Sequence, residues 1–373
     1  MTNKNNPKIT FVFSPGRLEK LNNKEYADEF FYAYPLFKKN FKNVSFIEFK
    51  NTNKSHLIFI DKVLRKITKL PFFLDVAHDR NNFSYLKESD YIIFGNHRLA
   101  LSSILIIKRL NKIKKINSTF FVMGLLPKSK NKFFIRRLQI SLIKMLCKEY
   151  DNLIFLSKSE CNKATELFPK FNYKFKFIPF SIDTKFWNED LSKMKNKKDK
   201  IIFIGNDGKR EYQKVVQIAK KLPDYQFIFI TSQIDGKDLE SSNIELVKGH
   251  WNLSTLTDLE IKKYYLESKL TILPLVDSYQ PSGQSVTLQS MATGTPVIIS
   301  KTKGFWNLTD FRHNKEIIFV DDNSIDNWVK QIEKIYNNEE MHEILSKNGQ
   351  ELILKKYNLE IFYNTLKKQL NIN

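Results

Sequence analysis

Short apolar runs alternate with amphipathic segments along most of the chain, and this alternation limits the fold more than any other feature. Each run has the length of a buried strand, and each amphipathic segment is long enough for a helix that covers a sheet. Such a series predicts parallel sheets with helices on both faces. The predicted strands are Ile9–Phe13, Ser45–Glu48, Pro71–Val76, Asp90–Gly95, Ser118–Val122, Leu153–Leu156, Ile201–Ile204, Gln226–Ile230, Ile244–Val247, Lys269–Leu275, Val297–Ile299 and Ile317–Val320. Two of the predicted helices are one that carries Tyr26, Phe30, Phe31 and Leu36 on its apolar side, and Ala100–Leu110.

The alternation is interrupted once, near the middle of the chain. Phe177–Trp187 (FIPFSIDTKFW) ends a strand at Pro179, and Leu191–Lys200 is a Lys/Asn-rich linker without apolar periodicity. A chain of 373 residues favours two domains. We therefore expect an α/β protein with two doubly wound Rossmann-like domains, over residues 1–180 and 181–355.

The cysteine content and the apolar runs of the chain indicate its cellular compartment. Cys147 and Cys161 are too few for a disulfide framework, and no Cys/His cluster indicates a metal site. The polar start MTNKNNPK is unlike a secretion signal, and no apolar run reaches the roughly 18 residues that cross a bilayer. We therefore expect a cytoplasmic protein.

The chain is strongly basic, with 61 Lys and Arg against 40 Asp and Glu and a net charge of +21. This balance favours an anionic partner. The excess of Lys over Arg argues against base reading, so no nucleic acid is expected as a partner. Basic and apolar residues interleave between Lys108 and Lys148. This pattern fits either a face that lies on an anionic membrane or a core helix with a Lys-rich solvent side.

One stretch carries most of the chemistry, from Pro274 to Ser300. Its pattern predicts a helix from about Gln284 to Thr293, which Gly294 ends. Ser282, Gly283, Gln284 and Ser285 form the start of this helix, where unpaired N–H groups suit a phosphate. Gly283 has no Cβ, which would let a ligand approach the backbone. An ordinary N-cap made by Ser282 is the alternative.

A second set of residues follows the first strand of the second half. Lys209 and Arg210 lie on the loop at the carboxyl end of that strand, where parallel sheets bind ligands. Both side chains can pair with phosphate oxygens. The competing interpretation is ordinary surface charge on a Lys-rich chain.

The motifs quoted above resemble those of group 1 (family 4) retaining glycosyltransferases, which have the GT-B fold. The resemblance rests on FIPFSIDTKFW and on PSGQSVTLQSMATGTPVI followed by Gly304, and more loosely on FVFSPGR, EFFYAYPLF and DNLIFLSKSE in the first half. It implies two domains that face a cleft. The first would bind the acceptor and the second the nucleotide sugar, with a C-terminal helix over 356–373 that packs back on the first.

The resemblance also implies roles for single residues, and it shows where this chain departs from the pattern. Both carboxylates of the Glu-x7-Glu motif are replaced here, by Pro281 and Gln289. His97, at the end of a predicted strand, is the candidate catalytic base. The implied donor diphosphate site comprises Lys209, Arg210, Ser282, Gly283, Gln284, Ser285 and Gly16, and the implied nucleoside site comprises Gln289, His250 and Trp251.

The activity implied is transfer of a sugar from a UDP- or GDP-type donor to a hydroxyl of a saccharide or lipid-linked saccharide. The resemblance implies retention of anomeric configuration, no metal, no further cofactor, and a place in surface polysaccharide biosynthesis at the inner face of a membrane. Two other interpretations stay open. One is a catalytically impaired GT-B protein that binds sugar nucleotides for a partner, suggested by the lost carboxylates. The other is a nucleic-acid-binding protein, suggested by the net charge.

Overall fold

Two six-stranded parallel sheets carry the chain in this computed structural model. The structure describes residues 6–49, 55–72, 74, 80–126, 133–189, 198–239, 243–249 and 256–372. The chain divides into two compact units. The first contains Met1–Asn22, Phe30–Pro179 and Phe362–Asn373, and the second contains Asn23–Glu29 and Phe180–Ile361. The predicted α/β fold class is confirmed.

The sheet of the first unit has the strand order β2-β1-β3-β4-β5-β6. The central strand over Ile9–Phe13 is buried at every position, which is why it is an almost continuous apolar run (ITFVF) in the sequence. The strands are β1 (Ile9–Phe13), β2 (Val44–Glu48), β3 (Tyr91–Phe94), β4 (Asn117–Val122), β5 (Asn152–Phe155) and β6 (Phe175–Phe177). The helices are α1 (Tyr34–Asn40), α2 (Ser55–Thr68), α3 (Arg80–Lys87), α4 (His97–Ser102), α5 (Ile104–Asn111), α6 (Phe133–Glu149) and α7 (Lys158–Leu167).

Three predictions for the first unit were wrong in detail. The single helix expected around Tyr26–Leu36 is a 3₁₀ turn at Asp28–Phe31 followed by α1, because Tyr32 and Ala33 adopt left-handed backbone with φ of 48° and 64°. The helix Ala100–Leu110 is divided at Ser103, which lies outside helical geometry with ψ near 5°. Pro71 and Phe72 are in no strand, and most of the remaining Pro71–Val76 segment falls outside the described residues.

The sheet of the second unit has the strand order β12-β11-β10-β7-β8-β9, again all parallel. The strands are β7 (Lys200–Ile204), β8 (Gln226–Ile230), β9 (Ile244–Val247), β10 (Ser268–Leu273), β11 (Val297–Ser300) and β12 (Ile318–Val320). The helices are α8 (Thr184–Asn188), α9 (Tyr212–Lys221), α10 (Asp258–Glu267), α11 (Gln284–Ala292), α12 (Ile325–Tyr336) and α13 (Glu339–Lys356). A further helix, α14 (Leu359–Gln369), leads into the C-terminal residues of the first unit.

A short N-terminal segment, Asn23–Glu29, belongs to the second unit, although the predicted boundary placed all of 1–180 in the first. Backbone bonds hold it at the start of α10. The Leu259 amide donates to the Glu25 carbonyl at 3.0 Å, and the Ala27 amide donates to the Asp258 carboxylate at 3.0 Å. These contacts join residues more than two hundred positions apart, which local sequence pattern does not reveal.

The C-terminal residues pack within the first unit. The Phe362 ring lies 5.8 Å from that of Phe121 on β4, and the Tyr363 ring lies 4.7 Å from that of Phe37 on α1. Leu366, Leu370 and Ile372 are buried as well. The segment that joins the first unit begins at Phe362, a few residues later than the 356–373 helix expected from the sequence.

Candidate donor site of the second unit

Two loops pair side by side at the carboxyl ends of β7 and β10. The Val276 amide donates to the Lys209 carbonyl at 3.0 Å, and the Glu211 amide donates to the Pro274 carbonyl at 3.0 Å. Arg210 and Leu275 form an antiparallel bridge between these bonds. This pairing brings the predicted cations to the loop that precedes α11.

The first turn of α11 begins at a glycine, which has no side chain to cap it. Gly283 is the N-cap residue with φ of 79° and ψ of −1°. The alternative of an N-cap made by Ser282 is therefore wrong. The Ser282 hydroxyl instead donates to the Asp207 carboxylate at 2.6 Å and accepts from Arg210 Nη1 at 3.3 Å.

The reason for glycine at position 283 differs from the expected one. A Cβ there would lie 3.4 Å from both Ile299 and Leu273, at ordinary contact distance and on the core side of the helix. Close approach of a ligand is therefore not what this glycine provides. Its positive φ is the requirement, since L-residues rarely adopt that backbone geometry. At the other end of the helix, Gly294 with φ of 73° ends α11 as predicted.

Arg210 is a buried cation next to the start of α11, where its Nη1 donates to the Ser282 hydroxyl at 3.3 Å. Its Nε donates to the Ile204 carbonyl at 3.2 Å, and its Nη1 pairs with Asp207 at 2.9 Å. Gly205 makes room for it, because a Cβ at that position would lie 2.8 Å from the Arg210 Cγ. The cation is thus fixed in place, and its charge is shared with a carboxylate that is 37% exposed.

The other residues of the predicted diphosphate set lie in the same region. Lys209 is half-buried and its amide donates to Asp207 Oδ1 at 2.9 Å. Gln284 is buried and Ser285 is half-buried in the first turn of α11. The structure therefore brings together Lys209, Arg210 and the run Ser282–Ser285 within the second unit.

Asn206, on the loop after β7, has a structural role. Its Nδ2 donates to the Gly249 carbonyl at 2.7 Å, and its Oδ1 accepts from the Ser232 amide at 2.7 Å. It therefore connects the loops after β7, β8 and β9. The cations of this region, Lys209 and Arg210, follow Asn206 on the same loop.

Gln289, the predicted nucleoside contact, lies deeper on α11 in a buried polar cluster. Its Nε2 donates to Glu29 Oε1 at 2.8 Å, and its Oε1 accepts from the Tyr265 hydroxyl at 3.4 Å. Burial, with Asp258 second and Asp183 as a lesser contribution, raises the pKa of Glu29 to about 8, although its bond from Gln289 acts in the opposite direction. Sequence reasoning missed Glu29, because its partner is 260 residues away and no local pattern signals the contact.

The two predicted residues of the first unit lie at the carboxyl ends of its strands. His97 is the first residue of α4 and is buried, and within the described structure its Nδ1 has no hydrogen-bond partner. Burial, followed by the charge of Arg98, lowers the pKa of His97 to about 3. The imidazole is therefore neutral and a weak proton acceptor. Gly16 is exposed with φ of 84°, and His250 and Trp251 lie outside the described residues.

Two kinds of feature are absent from the part of the chain that the structure describes. No group of three or more His, Cys, Asp or Glu side chains is arranged to hold a metal ion. No helix there is both long enough and apolar enough to cross a membrane.

The described geometry can be compared with known proteins. Residues 185–352 match the family described as "Glycosyl transferases group 1". The chain is similar in fold to HepE of Anabaena in complex with UDP and glucose, with a TM-score of 0.67 at 12% identity over 98% of this chain and 100% of that one. It is also similar in fold to sucrose-phosphate synthase of Thermosynechococcus elongatus, with a TM-score of 0.68 at 13% identity over 98% of this chain and 99% of that one. A third similar structure is TarM of S. aureus in complex with Fondaparinux, alpha-GlcNAc-glycerol and UDP. Its TM-score is 0.58 at 14% identity, over 80% of this chain and 59% of that one. No protein of curated function matches the chain by sequence.

The two parallel sheets and the structural matches give the chain the GT-B fold of these proteins. Residues 185–352 match the group 1 glycosyl transferases, and this range contains α11, Arg210 and Gln289. The resemblance to group 1 glycosyltransferases of the GT-B fold, expected from the sequence, is confirmed.

Proposed function

We propose that the protein transfers a hexosyl residue from a UDP-sugar to a hydroxyl of a saccharide acceptor. The observation that carries the donor site is the glycine-started first turn of α11 beside buried Arg210, inside the range that matches the group 1 family. Structures of similar fold hold UDP with glucose, and UDP-glucose, which supports uridine as the base.

The geometry supports a mechanism that stabilises the leaving diphosphate. N–H groups of the first turn of α11 and the cations of Arg210 and Lys209 would take up the charge that develops on the diphosphate. These groups supply what a metal ion supplies elsewhere, so the proposed transfer is metal-independent. The Asp207 carboxylate accepts hydrogen bonds from Arg210 and from Ser282. The diphosphate would therefore compete with Asp207 for these two donors.

The first unit would bind the acceptor, as the group 1 resemblance implies, and the transfer would retain the anomeric configuration. His97 would contribute a buried, neutral imidazole at the carboxyl end of β3. We propose this supporting position for His97 in place of general-base catalysis, because its Nδ1 is buried and an imidazole with a pKa near 3 removes a proton poorly at neutral pH. Gly16 stays a proposed contact to the donor phosphate.

An acceptor on a lipid carrier would place the protein on an anionic membrane, and the basic stretch Lys108–Lys148 supports this. Within it, α6 exposes Phe133 and Phe134 beside Arg136 and Arg137. The neighbouring α2 packs against α6, where Gln139 Nε2 donates to the Thr68 carbonyl at 2.7 Å. It too exposes an apolar stripe, Phe59, Ile60, Val63 and Ile67, flanked by Lys62 and Lys66.

Such surfaces fit an anionic bilayer better than the alternatives. A second copy of the chain would bring like charges together. A nucleic acid would leave the aliphatic residues Ile60, Val63 and Ile67 exposed. We therefore propose that the protein acts at the cytoplasmic face of a membrane, on lipid-linked or surface polysaccharide.

A panel of UDP-, GDP- and CMP-linked sugars tests the donor class by thermal shift, since ligands that bind the native state raise its melting temperature. We expect UDP-sugars to stabilise the protein and the others to have little effect. Failure of every nucleotide to shift the melt would exclude the proposed donor site.

Replacement of two carboxylates by Pro281 and Gln289 favours one second candidate, a protein that binds nucleotide sugars without transferring them. Release of UDP from UDP-glucose, with and without saccharide acceptors, separates the two. Tight binding without turnover for every acceptor would favour the binding protein.

A further inference from the structure

The Glu29 carboxyl group lies inside the second unit and is 1% exposed. Its Oε1 accepts from Gln289 Nε2 at 2.8 Å and from Trp187 Nε1 at 3.1 Å. Its Oε2 accepts from the Asp183 amide at 3.3 Å. These partners come from α11, from α8 and from the residue that caps α8, so the carboxyl group joins segment 23–29 to both helices.

The surroundings of this group are acidic. Asp258 at the start of α10 and Asp183 at the N-cap of α8 carry carboxyls close to it, and the preceding residue, Asp28, lies close to Asp183. In the described part of the chain no Lys or Arg forms an ion pair with Glu29. Because burial and neighbouring carboxylates both oppose ionisation, Glu29 holds a proton at neutral pH.

The amide at position 289 is matched to this acid. An amide can donate to Glu29 and accept from Tyr265 at the same time, which the structure shows. A glutamate at 289, as in the family pattern, would bring two carboxyls to the 2.8 Å separation seen here between side-chain atoms. Even with a proton held by Glu29, ionisation of the second carboxyl would add a buried negative charge to a site that already contains Asp258, which is strongly disfavoured. The carboxyl that position 289 lacks is therefore present at position 29.

We propose that Glu29 and Gln289 form a matched acid–amide pair in which Glu29 is a positioning residue for the nucleoside end of the donor site. This inference rests on the proposed function. Glu29 fixes the Gln289 side chain on α11, the helix whose first turn meets the diphosphate, and it fastens segment 23–29 to the same site. Nucleotide binding is then coupled to the docking of that segment.

A swap of the two side chains tests the pairing. Four proteins are compared: the wild type, Glu29→Gln, Gln289→Glu and the double variant Glu29→Gln/Gln289→Glu, with exposed Glu343→Gln as the matched control. Gln289→Glu alone is expected to weaken UDP-glucose binding by about tenfold or more and to lower the melting temperature. The double variant restores an acid–amide pair and is expected to bind within about threefold of the wild type.

The pH profile of UDP-glucose affinity gives a readout that a merely structural role would not change. Ionisation of Glu29 sets its charge against those of Asp258 and Asp183 and loosens the docking of segment 23–29, although the bond from Gln289 favours the ionised form. Wild-type affinity is therefore expected to fall as the pH passes about 8. Glu29→Gln cannot ionise, and its affinity is expected to be flat over that range.

The inference fails if the double variant binds no better than Gln289→Glu, or if Glu29→Gln keeps the wild-type pH profile. Failure of the proposed function is a separate outcome. If the wild type binds no nucleotide at all, the donor assignment fails, while the melting temperatures of the four proteins still show whether positions 29 and 289 are coupled.

Discussion

Asp207 is the residue that most directly opposes the proposed donor. Its carboxylate accepts from Arg210 and from Ser282 at the start of α11. Asn at this position keeps one oxygen for Arg210 and Ser282 and removes the negative charge, at the loss of the bond that Asp207 Oδ1 accepts from the Lys209 amide. We expect Asp207→Asn to lower the Kd for UDP by about fivefold, since a unit charge near the diphosphate is worth about 1 kcal/mol there. Calorimetric titration measures this.

The matched control is Asp224→Asn, an exposed carboxylate of the same unit. It should leave the Kd for UDP unchanged. Weaker UDP binding by Asp207→Asn would mean that Asp207 orients Arg210 for the ligand and does not compete with it.

Substitution of Gly283 tests whether this position needs glycine for its backbone geometry or for contact with a ligand. Its Cβ position lies at ordinary distance from Ile299 and Leu273, so alanine fits there sterically. The cost of Gly283→Ala is the positive φ of 79°, about 1–2 kcal/mol of unfolding free energy. Denaturant unfolding measures it. Gly236→Ala, in open space and without positive φ, is the control and should be nearly neutral. Equal losses in both variants would refute the strain argument.

Glu29 also makes stability depend on pH. Its pKa is about 8 in the folded protein against an ordinary value of 4.5, so between these limits the folded state holds a proton that the unfolded state lacks. The contribution of this group to stability is therefore greatest at low pH and falls as the pH rises towards 8, by at most about 1.4 kcal/mol per pH unit. Urea unfolding of the wild type and Glu29→Gln from about pH 5 to pH 9 should show a smaller downward slope in the variant. Parallel slopes would contradict it.

At the scale of elements, most strands were predicted correctly from the sequence, and several helices were not. A parallel strand covered on both faces is a continuous apolar run, so β1 and β10 followed directly from the sequence. The helix expected through Tyr26 was wrong because left-handed Tyr32 and Ala33 have no sequence signal of the strength of Gly or Pro. Of the candidate site, the run Ser282–Ser285 was predicted from local pattern. Glu29 was missed, since only the tertiary fold brings it to Gln289.

Helices α2 and α6 carry the membrane prediction. Phe59 is 67% exposed and Phe134 is 82% exposed, and both stand among Lys and Arg residues. We expect Phe59→Ser and Phe134→Ser each to weaken binding to vesicles of anionic lipid by roughly tenfold, because each loses apolar area in contact with lipid. Binding should also weaken with added salt. Cosedimentation measures both effects.

The control for this surface is Ile344→Ser on α13, an apolar residue of the second unit that is also exposed. It should bind vesicles like the wild type. Unchanged binding by the two Phe variants, or an equal loss in the control, would place any membrane contact elsewhere.

At the scale of the whole molecule, each unit is assembled from distant parts of the chain. The first unit needs Phe362–Asn373, of which Phe362, Leu366, Leu370 and Ile372 are buried. Burial of such side chains contributes about 2 kcal/mol each, and the sum is comparable to the roughly 5–15 kcal/mol that stabilises a whole domain. Removal of residues 362–373 should therefore unfold the first unit selectively. The second unit keeps all its strands and Asn23–Glu29.

Hydrogen exchange followed by mass spectrometry resolves this difference. In the shortened protein, amides of β1, β3 and β4 should exchange rapidly, while those of β7, β10 and α11 stay protected and UDP still binds. Leu366→Ala in the full-length chain is the milder comparison, expected to cost about 2–5 kcal/mol in the first unit alone. Equal loss of protection in both sheets after the deletion would show that the two units unfold as one cooperative body, and a separate stability for each unit would be wrong.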